Sequence, residues 1–415
     1  MHQYRRARPL LRHPLARFTV AMLLAVVAAC DASPSTEPAP RAADPLLSAV
    51  VEPGGPLPGM TLQQRALFER GRGVFQTEFT PQTGLGPLFN NTACSECHED
   101  PVLGGVGEEV ERHATAFRAT AFRAPACDDL GPQGGPVIQD SVTPALHAAL
   151  AIEREAVPVQ ATDSAVRTTA SLLGFGLLEA VPDAEILALA DPLDRNGDGI
   201  SGRPNRTADG RLGRFGRKAQ IATLREFNAG AFVNEMGITS PTEPREQTVA
   251  GAPLPPGVDP TPDPELPQDA VDATTALVQL LAPPAPLPRG FVEGRGRLTF
   301  ILIGCAGCHV PTLVTGFNRV AALNLKIVSA YTDLLLHDMG PGLADICLEQ
   351  ARPAEFRTEP LMGLRFKTAF LHDGRAPTIA AAIRLHAGEA ARARYRFLAL
   401  SLAERWALLR FLQGL

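Results

Sequence analysis

Cys94-Ser-Glu-Cys97-His98 and Cys305-Ala-Gly-Cys308-His309 each set two thiols three positions apart and follow them at once with an imidazole. That order suits covalent attachment of haem. Two thiols near a helix start can each bond a vinyl group, and the next residue, beneath the iron, gives a ring nitrogen as proximal ligand. On this reading Cys94, Cys97, Cys305 and Cys308 are thioether anchors, His98 and His309 are axial ligands, and the chain carries two covalently bound haem c groups. A redox dithiol or a zinc knuckle shares the C-x-x-C spacing, but the adjacent histidine and the lack of further cysteine pairs weaken both.

Each motif needs a helix to hold it. Residues 62–75 (LQQRALFERGRGVF) put Leu67, Phe68 and Phe75 at helical spacing and lead through a loop to Cys94. Residues 291–303 are the counterpart and run directly into Cys305. Gly-Arg-Gly recurs at 71–73 and 294–296, which hints at an internal duplication. A last amphipathic helix is expected at 402–412, with Leu402, Trp406, Leu409 and Leu412 on one face. Strand-like alternation is scarce, so the expected class is mostly α with long irregular loops. The expected division is an N-terminal haem domain at 61–240, a Pro-rich linker at 241–288 and a C-terminal haem domain at 289–415. Within the linker, 269–281 can form a short helix, since Val271, Leu277, Val278 and Leu281 share a face.

The 415 residues are 45% hydrophobic, with a formal net charge of −5. This argues against disorder throughout, and no basic surplus is present to neutralise nucleic-acid phosphates. Five arginines and no acid precede a twelve-residue apolar run at 18–29, which is too short to span a bilayer and suits a signal peptide at 1–29. Val27-Ala28-Ala29-Cys30 resembles a lipoprotein cleavage site, with plain cleavage after Ala29 as the alternative. The expectation is a periplasmic protein, lipid-anchored to a bacterial membrane and touching it only through that anchor, with 30–60 as a flexible tether. Cys127 and Cys347 remain, either as a disulfide suited to an oxidising compartment or as two buried free thiols.

Further segments carry a resemblance. They are Gly86-Pro-Leu-Phe-Asn-Asn-Thr-Ala-Cys-Ser-Glu-Cys-His98, Leu173-Gly-Phe-Gly-Leu-Leu-Glu179-Ala-Val-Pro182, Arg214-Phe-Gly-Arg-Lys-Ala219 and Asn234-Glu-Met-Gly-Ile-Thr239. With them go Leu336-His-Asp-Met-Gly-Pro-Gly-Leu-Ala-Asp345, Glu355-Phe-Arg-Thr-Glu-Pro-Leu-Met-Gly363 and Phe370-Leu-His-Asp-Gly-Arg-Ala-Pro-Thr378. As a set they resemble the di-haem oxidoreductases related to bacterial di-haem cytochrome c peroxidases, a group also described as thiol oxidoreductases. The resemblance implies two cytochrome c-like helical domains with one haem each, a calcium ion near their interface, and electron transfer from one haem to the other, where peroxide binds.

It also frames the remaining candidates. His113, fifteen residues beyond His98, stands where those peroxidases place a displaceable distal histidine; a solvated histidine is the alternative. At the second haem His386 stands where they carry Met, with Met339 and Met362 as rivals, and a bis-imidazole haem has a lower potential than a His/Met one. Glu179 is a candidate acid for protonating the leaving oxygen, or else a charge at a helix start. Arg214, Arg217 and Lys218 are candidates for haem propionates, or else a solvated loop. Asp194, Asn196 and Asp198, with Gly199 sixth, match the first half of an EF-hand loop, but position twelve is Asn205 rather than Glu; the alternative is an Asx turn. The expected function is therefore a di-haem peroxidase taking electrons from a small redox protein and reducing hydrogen peroxide or another small oxidant. An oxidoreductase acting on a thiol or protein side chain, or a non-catalytic electron carrier, is the alternative.

Overall fold

Thr61 starts the first helix, α1 (Leu62–Phe75), by accepting from the Gln64 N–H while the Gln64 side chain accepts from the Thr61 N–H. This reciprocal cap fixes the first turn. The helix belongs to a computed structural model that describes residues 52–120 and 123–415. The signal segment 1–29, Cys30 and the tether as far as residue 51 lie outside the described residues.

Phe68, Gly71 and Phe75 of α1 are buried. They face α3 (Gln268–Leu280), and α2 (Leu224–Met236) packs on α3 as well. The helix expected at 269–281 within the connection between the halves is thus present, and most of its side chains are buried. In the second half α4 (Phe291–Leu302) packs against α7 (Leu402–Leu412), which Ser401 and Glu404 cap reciprocally. Between them in sequence lie α5 (Ile379–Leu385) and α6 (Ala391–Ala399). The face expected to bury α7 is only partly the one used, with Leu412 common to both. Ala407, Leu408, Phe411 and Leu412 are buried, while Leu402 and Trp406 face solvent.

The larger departure from a mostly α expectation is an antiparallel sheet. Its central strand β1 (Val110–Thr120) pairs with β2 (Arg123–Asp128), β3 (Val137–Ile138) and β4 (Asp163–Thr168). His113 lies on β1 opposite Val137 and Ala165. The strand reads VERHATAFRAT, and His113 through Ala116 are all buried, so the period-2 pattern of a half-solvated strand is absent. The disulfide alternative is the one realised: Cys127 and Cys347 are bonded, Cα atoms 5.7 Å apart, across 220 residues.

One core draws on both halves, joining Phe68, Phe75, Leu277 and Val278 to Leu313, Leu323 and Leu334. A second core, around Phe300, Tyr331, Phe397 and Phe411, belongs to the second half.

Candidate functional site

Cys94–Cys97 form one helical turn, and His98 N–H closes on Cys94 C=O. The His98 ring is half-buried, its Nδ1 lies 3.1 Å from Gly105 O, and Phe75 packs on it with centroids 6.0 Å apart. Burial lowers its pKa, so the ring is neutral, with the Nδ1 proton donated to the Gly105 carbonyl. Burial also pushes both thiols up to about 12. The second motif repeats the arrangement. His309 N–H closes on Cys305 C=O, its Nδ1 lies 3.0 Å from Tyr331 O, and Phe300 packs on it at 6.4 Å. Burial brings His309 down to about 4.

A cavity of about 440 Å³ opens beside the second motif, lined by Cys305, Cys308, His309, Met339, Ile383 and His386. Thr378 caps α5, and His386 ends it with Nδ1 on Ala382 O at 2.8 Å. Its other ring nitrogen is thereby left free toward the cavity that His309 also lines. Met339 shares the lining. Met362 does not; it packs against the core that both halves share.

The charged wall of the cavity explains how a dianionic ligand would be held. Half-buried Glu359 is met by Arg357 at 2.9 Å and by Arg217 and Lys367 at 3.1 Å each. Burial alone would raise this carboxyl, but the three cations hold it well below the usual range. Three cations against one carboxylate leave a positive surplus, and Nη1 of buried Arg357 has no partner among the described residues. Two thiols, an imidazole, apolar walls and an unanswered guanidinium fit a haem with its propionates.

Of the basic cluster only Arg217 reaches this wall. Arg214 donates to the carbonyls of Leu178, Glu179 and Val181 and pairs with Asp183. Lys218, fully buried, pairs with Asp345 and donates to Pro353 and Glu355 carbonyls. Glu179 is occupied as well. Its Oε1 accepts from Leu224 N–H at the start of α2 and its Oε2 from the Gln279 amide at 2.6 Å, a structural brace rather than a presented acid. In the 194–199 loop, Asp194 accepts from Gly199 N–H and Asp198 from Ile200 N–H, as in an Asx turn. Asn205 is fully buried and bonded to the Lys218 and Leu348 carbonyls, so it offers that loop no twelfth ligand.

His113 is buried rather than solvated, with Nε2 2.8 Å from Glu111 Oε2. Burial and the nearby Arg167 lower its pKa, so a neutral ring donates from Nε2 to the Glu111 carboxylate and its Nδ1 is left buried without a partner. Sequence reasoning missed two carboxyls in this half, of which Glu235 acts on Glu111. Glu235, bonded to Asn90 Nδ2 at 2.8 Å, is raised well above the ordinary range by burial and by Glu111. Glu155, raised to about 8 by burial, accepts from Gln139 N–H and has an unpartnered Oε1. Glu235 stands inside Asn234-Glu-Met-Gly, which was a usable signal; Glu155 stands in a charged loop that gave none.

Beside the second cavity His337 is held between Asp333 and Glu389 at 2.8 Å each, with Cys308 Sγ at 3.5 Å. Burial would depress it, but these partners lift it to about 12, so it is an imidazolium.

Among solved structures the chain is similar to the diheme peroxidase BthA from Burkholderia thailandensis at 17% identity and TM-score 0.40, over 84% of this chain and 86% of that one. It is also similar to hydrazine synthase from Kuenenia stuttgartiensis at 13% and 0.36, over 89% and 97%. A MauG-like protein associated with microbial copper homeostasis matches at 15% and 0.29, over 58% and 87%. Likeness this loose carries no argument about activity. No curated protein matches the chain significantly. Residues 159–415 match the family described as "Di-haem oxidoreductase, putative peroxidase", a span that takes in the second Cys-x-x-Cys-His and the whole of its cavity wall. More than half of the chain is covered, and the protein belongs to the di-haem oxidoreductases.

Proposed function

We propose that the chain is an exported di-haem c-type oxidoreductase that passes electrons between its two haems and reduces peroxide. The observation that carries this is the repeated motif geometry: at each site a phenyl ring and a backbone carbonyl orient one imidazole so that Nε2 is left for iron. Cys94 with Cys97 and Cys305 with Cys308 would hold the groups covalently, and His98 and His309 would ligate them. Bound haem supplies single-electron transfer and, where a coordination position is free, an iron for the oxidant to meet.

The residues assign different tasks to the two sites. His386 lines the cavity that His309 also lines and would give a haem there a second imidazole, which suits the second site to electron transfer. His113 is turned onto Glu111 by Nε2, so the first site is the one that opens to peroxide. There Glu235, protonated at neutral pH beside the Glu111 carboxylate, holds the proton that the leaving oxygen needs. Between the sites, β4 pairs with the His113 strand, and its last residue Thr168 donates its N–H to His372 C=O at 2.9 Å. The His372 ring stacks on Phe356 at 4.5 Å, and both line the second cavity. Export and lipid attachment at Cys30 rest on the basic leader and apolar run of the sequence.

Electron paramagnetic resonance with peroxide turnover tests the reading. The expected result is one low-spin centre indifferent to cyanide, a second altered by cyanide, and turnover with peroxide in preference to a panel of thiols. Two low-spin centres inert to cyanide and peroxide in every oxidation state would leave only an electron carrier.

A further inference from the structure

Arg392 and Arg396 both line the second cavity and are exposed, so they mark where it meets solvent. Arg396 Nη1 reaches Ile303 O at 3.4 Å, which sets α6 beside the end of α4 and the Cys305 turn. Around this mouth large apolar side chains face water: Leu302 is 76% exposed, Tyr395 66% and Leu398 45%. From 384 to 410 the chain carries six arginines against two glutamates, in a protein whose net charge is −5. Arg384, Arg392, Arg394 and Arg396 meet no carboxylate within 4.0 Å among the described residues.

We propose that this surface docks a small acidic redox protein that exchanges electrons with the second haem; the inference rests on the reading of that cavity given above. An apolar centre with a rim of unanswered guanidinium groups is the anatomy of a recognition surface, and its charge selects a partner of opposite sign. Three of the four arginines line the cavity itself, so the positive field is centred on the point of electron entry. An anionic bilayer would not require that placement. In the step, one electron leaves the reduced partner and reduces the oxidised second haem, with no bond made or broken and no proton moved.

Stopped-flow reduction of the mature, haem-loaded protein by reduced flavodoxin, a small acidic carrier, tests this. At low salt the rate should fall about tenfold in the Leu302→Asp/Arg384→Glu double variant, and the wild-type rate should drop steeply as ionic strength passes about 0.1 M. Full reduction of both proteins by dithionite establishes that the haems are present and reducible; its failure would count against the haem reading instead. A flavodoxin rate unchanged by the double variant and by salt overturns the docking proposal. So does tight binding of the wild type, but not the variant, to phosphatidylglycerol vesicles, which would make this a membrane-facing surface.

Discussion

Gly71 lies directly against the carbonyl oxygen of Ala273: a Cβ at position 71 would fall 2.0 Å from that oxygen. Gly296 bears the same relation to Ala407, also at 2.0 Å. In each half a phenylalanine four residues on, Phe75 or Phe300, reaches the ring of the motif histidine. By these contacts Gly71 corresponds to Gly296, and the two Gly-Arg-Gly triplets do not match end to end. Gly71→Ala and Gly296→Ala should each destabilise the fold by about 1–3 kcal/mol, because overpacking forces the helix pair apart. Denaturant melts check this; unchanged midpoints would contradict the close approach.

Asp345 Oδ2 accepts from two guanidinium nitrogens of Arg167 at 2.7 and 3.0 Å, and its Oδ1 lies 2.6 Å from Lys218 Nζ, all three side chains being buried. Asp345→Asn leaves two buried cations without a counter-charge. The expected loss is about 3–5 kcal/mol, the usual cost of breaking a buried pair from one side. A loss below about 1 kcal/mol by chemical denaturation would show that water reaches this cluster.

Glu155 gives a pH dependence with a definite sign. Its folded value is raised to about 8 by burial, against an ordinary 4.5. Between those values the folded protein holds a proton that the unfolded chain has released, so this group's contribution to stability declines as pH rises from about 4.5 to 8. Each pH unit of displacement corresponds to about 1.4 kcal/mol. The side chain is buried, so the loss across that window reaches several kcal/mol, up to about 5. Glu155→Gln should flatten the slope and melt higher than wild type at pH 8; parallel pH profiles would place Glu155 in water.

The sequence reading located α1 and α7 to the residue, and α3 and α4 within one residue at each end, because caps and 3.6-residue spacing are local signals. Both Cys-x-x-Cys-His turns were legible for the same reason. Helix orientation was less so: Leu412 is buried as expected, but the Leu402 and Trp406 side chains are apolar yet solvated, and only tertiary contact reveals that Leu408 and Phe411 are buried instead. The sheet was invisible because the middle of β1, residues 113–116, is buried on both faces and the strand carries charged and small residues. The task of Glu179 was misread because its partners, Leu224 N–H and Gln279, lie 45 and 100 residues away.

The most direct test of the central claim is the intact mass and visible spectrum of the mature chain made in a host with working cytochrome maturation. The account predicts the polypeptide plus two haems, retained after denaturation, and a spectrum with two haem c groups per chain. A colourless protein with the mass of the bare polypeptide would contradict it.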